Sequence, residues 1–163
     1  MEKIRYRNFQ ISDSEMVKNV ALESWKYTYN KIYSFQFIQN FIDENYFPSK
    51  LAIFIPKIKQ KEIFFKVAAI NSQIVGFCQI GDRSQGMELC RIYLLPDYIG
   101  KGIGKALLTL GEEFIKSKEN REYFCYVHEK NQFGRNFYIR NGFIHLPYKD
   151  KDDEWYMEKK LQY

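Results

Sequence analysis

The chain has 163 residues, enough to bury a core within one domain spanning residues 1–163. Its 25 basic and 20 acidic residues leave a formal charge of +5, which favours an anionic ligand. No arginine-rich tract or zinc-finger spacing accompanies that charge, and no apolar run reaches the ~18–20 residues of a membrane helix, so neither a nucleic-acid module nor a membrane span is expected.

Lys3 to Phe9 alternates as a first strand, and its charged start lacks a signal-peptide pattern, so a cytoplasmic location is expected. Ser12-Asp13-Ser14-Glu15 has the spacing of a capping box, and Met16, Val17, Val20, Ala21 and Trp25 continue from it at helical intervals. A second, aromatic-rich helix is predicted over Phe35 to Glu44. Pro48-Ser49 opens a third that is kinked or ended near Pro56. Phe64 to Ile70 and Ile74 to Ile80 are β-rich runs joined through Asn71-Ser72-Gln73, a hairpin signature. Met87 to Leu95 forms the next strand after the turn from Gly81 to Gly86. Ile103, Ala106, Leu107, Leu110, Phe114 and Ile115 define the apolar face of a following helix. Glu122 to His128 reads as a strand and Asn131 to Arg140 as a short helix stopped by Asn141-Gly142. Phe143 to Tyr148 and Glu154 to Lys159 read as closing strands. The order is that of an α+β domain. Cys78, Cys90 and Cys125 are odd in number and lie in apolar strands, the pattern of reduced core thiols. His128 and His145 lack paired-ligand spacing, so no metal site is expected.

The chemistry concentrates where a strand ending at Leu94-Leu95 runs through Pro96-Asp97 into Gly100, Gly102 and Gly104, interleaved with Lys101 and Lys105, and then into a helix. Glycines permit strained backbone angles and close approach, and free N–H groups at a helix start favour an anion. The loop therefore reads as a phosphate or pyrophosphate cradle. A dinucleotide fingerprint would need a third small residue where Leu107 stands, and a P-loop would need Lys-Ser/Thr where Lys105-Ala106 stands. Both nucleotide motifs fail.

Pro96-x-x-Ile99-Gly100-Lys101-Gly102-Ile103-Gly104 resembles the acetyl-CoA signature of the GCN5-related N-acetyltransferase (GNAT) family. Asn131-Gln132-Phe133-Gly134-Arg135-Asn136-Phe137-Tyr138-Ile139-Arg140-Asn141-Gly142-Phe143 is similar to a second segment of that family. The resemblance implies a GNAT-like fold, with a central mixed, mostly antiparallel sheet of about six or seven strands flanked by helices. It also implies acetyl-CoA as co-substrate. Pantetheine would meet the backbone of Ile92, Tyr93 and Leu94, and pyrophosphate the amides of Ile99, Gly100, Lys101, Gly102, Ile103, Gly104 and Lys105. Ile99 departs from the family pattern, because a polar Gln or Arg is usual there; Gly134 stands where Ala is common.

By the same resemblance Tyr138 protonates the departing sulfur, Asn131 contacts the cofactor, and backbone amides near Tyr93 and Leu94 form the oxyanion hole. An alkylamine with a pKa of roughly 10.4 arrives protonated and must lose a proton. Glu88, four residues before Ile92, is the candidate base, directly or through water; a solvated strand residue is the other reading. The segment from Glu23 to Tyr33 resembles that of Pai-type polyamine (spermidine/spermine) acetyltransferases. Glu23, Trp25 and Tyr29 are thus candidate substrate-binding residues, with Trp25 and Tyr29 alternatively an i, i+4 core pair. The implied reaction is acetyl transfer to a primary amine, a polyamine such as spermidine or spermine, by direct attack in a ternary complex. A protein N-terminal or lysine acceptor, and a non-catalytic acetyl-CoA-binding regulatory module, are the alternatives. Aromatic strands near the C-terminus suggest a homodimer.

Overall fold

In the computed structural model, which describes residues 2–163, strands cover Ile4–Asn8 (β1), Phe64–Ile70 (β2), Gln73–Arg83 (β3), Gly86–Leu94 (β4), Glu122–His128 (β5), Ile144–His145 (β6) and Glu154–Lys160 (β7). They form one sheet in the order β1-β2-β3-β4-β5-β7-β6, antiparallel except between β4 and β5. Helices Ser14–Tyr29 (α1), Phe35–Asn45 (α2), Pro48–Ala52 (α3) and Phe54–Lys59 (α4) lie between β1 and β2; Ile103–Ser117 (α5) joins β4 to β5, and Gln132–Arg140 (α6) follows β5. Among the described residues no helix is long and apolar enough to cross a membrane.

The sheet separates two cores. On one face α5 buries Ile103, Leu107, Leu108 and Ile115 against Val75, Cys78 and Ile80; on the other α1 and α2 bury Val17, Val20, Ile38 and Ile42 against Phe65, Phe77 and Ile74. The central strand β3 is covered on both sides, which is why residues 74–81 are all buried and its sequence reads as a nearly continuous apolar run. The β2–β3 turn needs only Asn71 and Ser72, with Asn71 at φ +55°, a conformation Asn tolerates.

Three boundaries differ from the sequence reading. The capping box does not start at Ser12, which lies inside a 3-10 turn from Ile11 to Asp13. Arg7 holds the buried Asp13 carboxylate with two hydrogen bonds of 2.7 and 2.8 Å, and the same carboxylate accepts the Gln10 N–H at 2.9 Å. That charge-assisted fork anchors the turn, and α1 begins at Ser14. The helix break falls at Ile53 rather than at Pro56: proline lacks the N–H that would bond the Ala52 carbonyl and crowds it instead, so Pro56 is accommodated in the first turn of α4. The expected strand from Phe143 to Tyr148 shortens to β6. Pro147 starts a 3-10 turn, and Asp150 ties that turn down by accepting from His145 Nε2 and the Tyr156 N–H.

Gly76 lies opposite Leu94 in the β3–β4 ladder. A Cβ there would meet Tyr93 O at 3.0 Å and collide with Leu94 Cδ2. Gly76→Ala is expected to destabilise the fold by about 1–3 kcal/mol, seen as a lower urea midpoint at unchanged m-value; an unmoved midpoint would show that the two strands can part freely.

Candidate active site

The parallel pair β4–β5 touches at one register position, Glu88 opposite Phe124. Beyond it the strands diverge. The fork is sharpened by a bulge in β4: Gln79 faces Arg91 and Ile80 faces Leu89, so Cys90 is an extra residue. Between the arms lies a cleft of about 180 Å³, lined by residues 89–94 of β4, Tyr126 and Val127 of β5, Ser24, Thr28 and Tyr29 of α1, and the first turns of α5 and α6.

The β4 arm presents backbone to this cleft. Leu95 N–H donates to Val75 O at 2.8 Å. Alternation along an antiparallel ladder then directs the Tyr93 amide and carbonyl to β3, and those of Ile92 and Leu94 toward the fork. Of the three residues expected to offer backbone, Ile92 and Leu94 do so. The Tyr93 side chain packs into the core under α1 and α2, and burial pushes its phenol pKa up.

At the end of β4 the chain turns into the N-terminus of α5. Gly100 and Gly102 have φ of +79° and +84°, and a Cβ at either would meet nothing within 4 Å, so conformation rather than crowding requires glycine. Gly102 is the N-cap, and the first helical bond runs from Ala106 N to Gly102 O at 3.0 Å. The N–H groups of Ile103, Gly104 and Lys105 consequently lie outside the helix ladder, at the positive end of the dipole. Lys101 Nζ lies 5.1 Å from the Tyr98 ring centroid, and Lys105 is exposed. Ile99, 42% exposed at the cleft, adds no polar group. The Ile103 side chain is core, leaving only its backbone for a ligand. Gly104 serves packing: a Cβ there would press on the Phe137 ring at 3.2 Å.

Asn131 caps α6, its Oδ1 accepting the Gly134 N–H at 2.8 Å, while its Nδ2 donates to the Tyr29 hydroxyl at 3.2 Å. A Cβ at Gly134 would come within 3.0 Å of Asn131 Cγ and of Val127, which accounts for glycine where the family pattern has alanine. Tyr138 lines the cleft with its ring edge-on to Phe137 and Phe143; burial holds its phenol pKa well above 10.0. The phenol is thus protonated at neutral pH.

Across the sheet, Tyr29 belongs to an aromatic group with Trp25, Tyr33, Phe37 and Phe41. His128, at the end of β5, sets its ring edge against Tyr29 and Tyr33. Its Nδ1 accepts the Lys130 N–H at 3.1 Å, so Nε2 carries the hydrogen facing Asp153 Oδ2 at 3.1 Å. Glu154 sits opposite His128 in the β5–β7 register, and its carboxyl pKa is raised by burial first and by Asp153 second.

Residues 20–143 match the model of the acetyltransferase (GNAT) family. The chain belongs to the GNAT family. It is 38% identical over 161 residues to the spermidine N(1)-acetyltransferase of Thermoplasma acidophilum, covering 98% of each protein. The crystal structure of the PaiA N-acetyltransferase from T. acidophilum, in complex with coenzyme A, superposes with a TM-score of 0.91 at 38% identity, over 97% of this chain and 99% of that one. A GNAT-family acetyltransferase from Staphylococcus aureus, 21% identical with a TM-score of 0.76 over 98% and 100%, shares the fold. The chain is an acetyl-CoA-dependent N-acetyltransferase of GNAT type.

In this GNAT chain the residues expected at the site do not all meet. Tyr138, Tyr29 and Asn131 come together at the cleft. Glu88 stands at the root of the fork, outside the cleft wall, its carboxylate accepting from Arg83 Nε at 3.1 Å. Trp25 is a buttress rather than a cleft residue, wedged 4.3 Å from Phe41 and 4.6 Å from Tyr29 between ring centroids. Glu23 faces away and pairs with Lys26 at 3.4 Å; Ser24 and Thr28, one turn apart, take the inner face. Among the other acidic residues, Asp43 pairs with Lys18 on the helical layer and Asp150 secures the β6–β7 turn, while Asp153 and Glu154 flank the aromatic group. Arg91, Tyr126 and His128 carried no motif that would have singled them out. Because Asn131 is both cap and link to α1, Asn131→Ala is expected to lower stability by about 1 kcal/mol, measurable as a melting-temperature drop of roughly 2–4 °C.

Proposed function

We propose that this N-acetyltransferase acetylates a primary amine of a polyamine such as spermidine or spermine, by direct attack in a ternary complex. The observation that carries the reading is the joining, through one cleft, of a helix-start anion site to an aromatic wall edged by Asp153 and Glu154. Similarity to the Thermoplasma spermidine N(1)-acetyltransferase supports the acceptor, and the coenzyme A complex of PaiA supports the cofactor site.

Acetyl-CoA supplies an activated thioester. The amides of Ile103, Gly104 and Lys105, with the Gly100–Gly102 turn ahead of them, fit its pyrophosphate, since open space and unbonded N–H groups coincide there. Lys101 and Lys105 add charge where Ile99 offers none. The Ile92 and Leu94 backbone fits the amide groups of pantetheine as a strand would, and one of those N–H groups faces the thioester oxygen as it gains charge. Tyr138 gives its proton to the departing sulfur. Glu88, at the root of the fork, takes the amine proton through water. The rings of Tyr29 and Tyr33 meet the ammonium and alkyl stem of the acceptor, and Asp153 and Glu154 balance its distal charges.

Spermidine is expected to give saturable acetylation with stoichiometric thiol release. Turnover restricted to peptide N-termini or lysines in the same panel would replace the polyamine reading, and cofactor binding without any thiol release would leave only a binding module. Tyr138→Phe should lower kcat by roughly 100-fold with little change in KM for acetyl-CoA; unaltered kcat would remove Tyr138 as donor. Gly102→Ala forces an L-residue into the left-handed region at a cost of about 1 kcal/mol, and is expected to raise KM for acetyl-CoA several-fold as the loop amides shift.

A further inference from the structure

On the β4 arm of the cleft, Arg91 has no role in the chemistry described above. Its guanidinium lies over the Tyr46 ring, 4.5 Å from the centroid, and its Nη1 is buried with no hydrogen-bond partner among the described residues. It also lines the cleft. The nearby carboxylate on β4, that of Glu88, is engaged by Arg83. Arg91 therefore enters no ion pair among the described residues. A buried N–H of an always-charged group needs an oxygen acceptor, and with Tyr46 covering one face of the guanidinium its donors point along the edge of the plane.

We infer that Arg91 recognises a carboxylate on the acceptor, so that this cleft also acetylates amines that carry a carboxylate, of the ω-amino acid class. A polyamine has no oxygen to offer Arg91. The anionic groups of coenzyme A do not serve either: the unbonded amides of α5 lie with the core on the α5 face of the sheet, whereas Tyr46, under Arg91, belongs to the core beneath α1 and α2. The two arms of the fork also differ in sign, with Arg91 on β4 and the Asp153–Glu154 turn beside β5. A molecule with an amine at one end and a carboxylate at the other matches both arms. The bonds involved are those of amine acetylation: N–C forms and C–S breaks, the departing sulfur takes a proton from Tyr138, and of the two protons that the ammonium nitrogen loses one passes to solvent through Glu88 and the other restores Tyr138.

The test compares matched pairs, 1,4-diaminobutane with 4-aminobutanoate and 1,5-diaminopentane with 5-aminopentanoate, at saturating acetyl-CoA, by thiol release and product mass. Wild-type protein is expected to acetylate both members of each pair. In Arg91→Gln the ratio of kcat/KM for amino acid over diamine should fall by about tenfold or more, and Arg91→Lys, which keeps the charge but not the fork, should fall between. Calorimetric binding of coenzyme A to each variant reports folding and the cofactor site. Absence of amino-acid turnover by wild-type protein, a ratio unmoved in Arg91→Gln, or a parallel loss of coenzyme A affinity would each overturn the inference. The polyamine reading fails on the other arm, through silence with spermidine and the diamines, so the two are told apart.

Discussion

The site depends on a parallel junction inside an otherwise antiparallel sheet. Two adjacent parallel strands cannot be joined by a tight turn; the chain must cross over, and here α5 makes that crossing. The N-terminus of α5 therefore lies just beyond the C-terminal end of β4. Because β4 and β5 pair at Glu88–Phe124 and then separate, the strand edge and the helix start open onto the same space. An extended ligand with an anionic end can run along the β4 edge and finish at the helix dipole. The bulge at Cys90 contributes by releasing β4 from a flat ladder where the divergence begins.

The two sides of the fork divide the electrostatic work. Toward α5, backbone amides, Lys101 and Lys105 favour phosphate, consistent with the positive net charge. Toward α1 and β7, tyrosine rings, His128, Asp153 and Glu154 reverse the local sign, so a basic chain can still receive an amine. Burial orders the protons accordingly: the phenols of Tyr29 and Tyr138 are held protonated, and the Glu154 carboxyl is shifted upward. Asn131 ties the sides together, since one amide group caps α6 and bonds Tyr29 on α1.

Much of the fold is legible in residue order. Strand alternation, the apolar face of α5 and the Asn141-Gly142 stop correspond to elements within a few residues of their expected ends; the last ends with the Gly142 and Phe143 amides bonded back to Ile139 and Tyr138. Departures occur where a distant partner intervenes. Arg7 reaches Asp13 and moves the start of α1, and Asp150 gathers His145 and the Tyr156 amide and cuts β6 short. Such contacts join segments whose local propensities carry no trace of each other.

By itself, the sequence marked the glycine-lysine loop as a candidate anion cradle, because glycine's backbone freedom and the unbonded amides of a helix start are local properties of consecutive residues. It likewise placed Tyr138 and Asn131 in a motif with fixed spacing. Only the tertiary structure decided which side chains face the cleft. Glu23 and Trp25 share a helix with Tyr29 yet point elsewhere, since a rotation of about 100° per residue separates neighbours on α1. Arg91 on β4 and the His128–Glu154 pair on β5 and β7 belong to adjacent strands because β4, β5 and β7 lie side by side, although some 60 residues of chain separate the first from the last. Loop amides are set by adjacent residues, whereas the acceptor wall is set by sheet order.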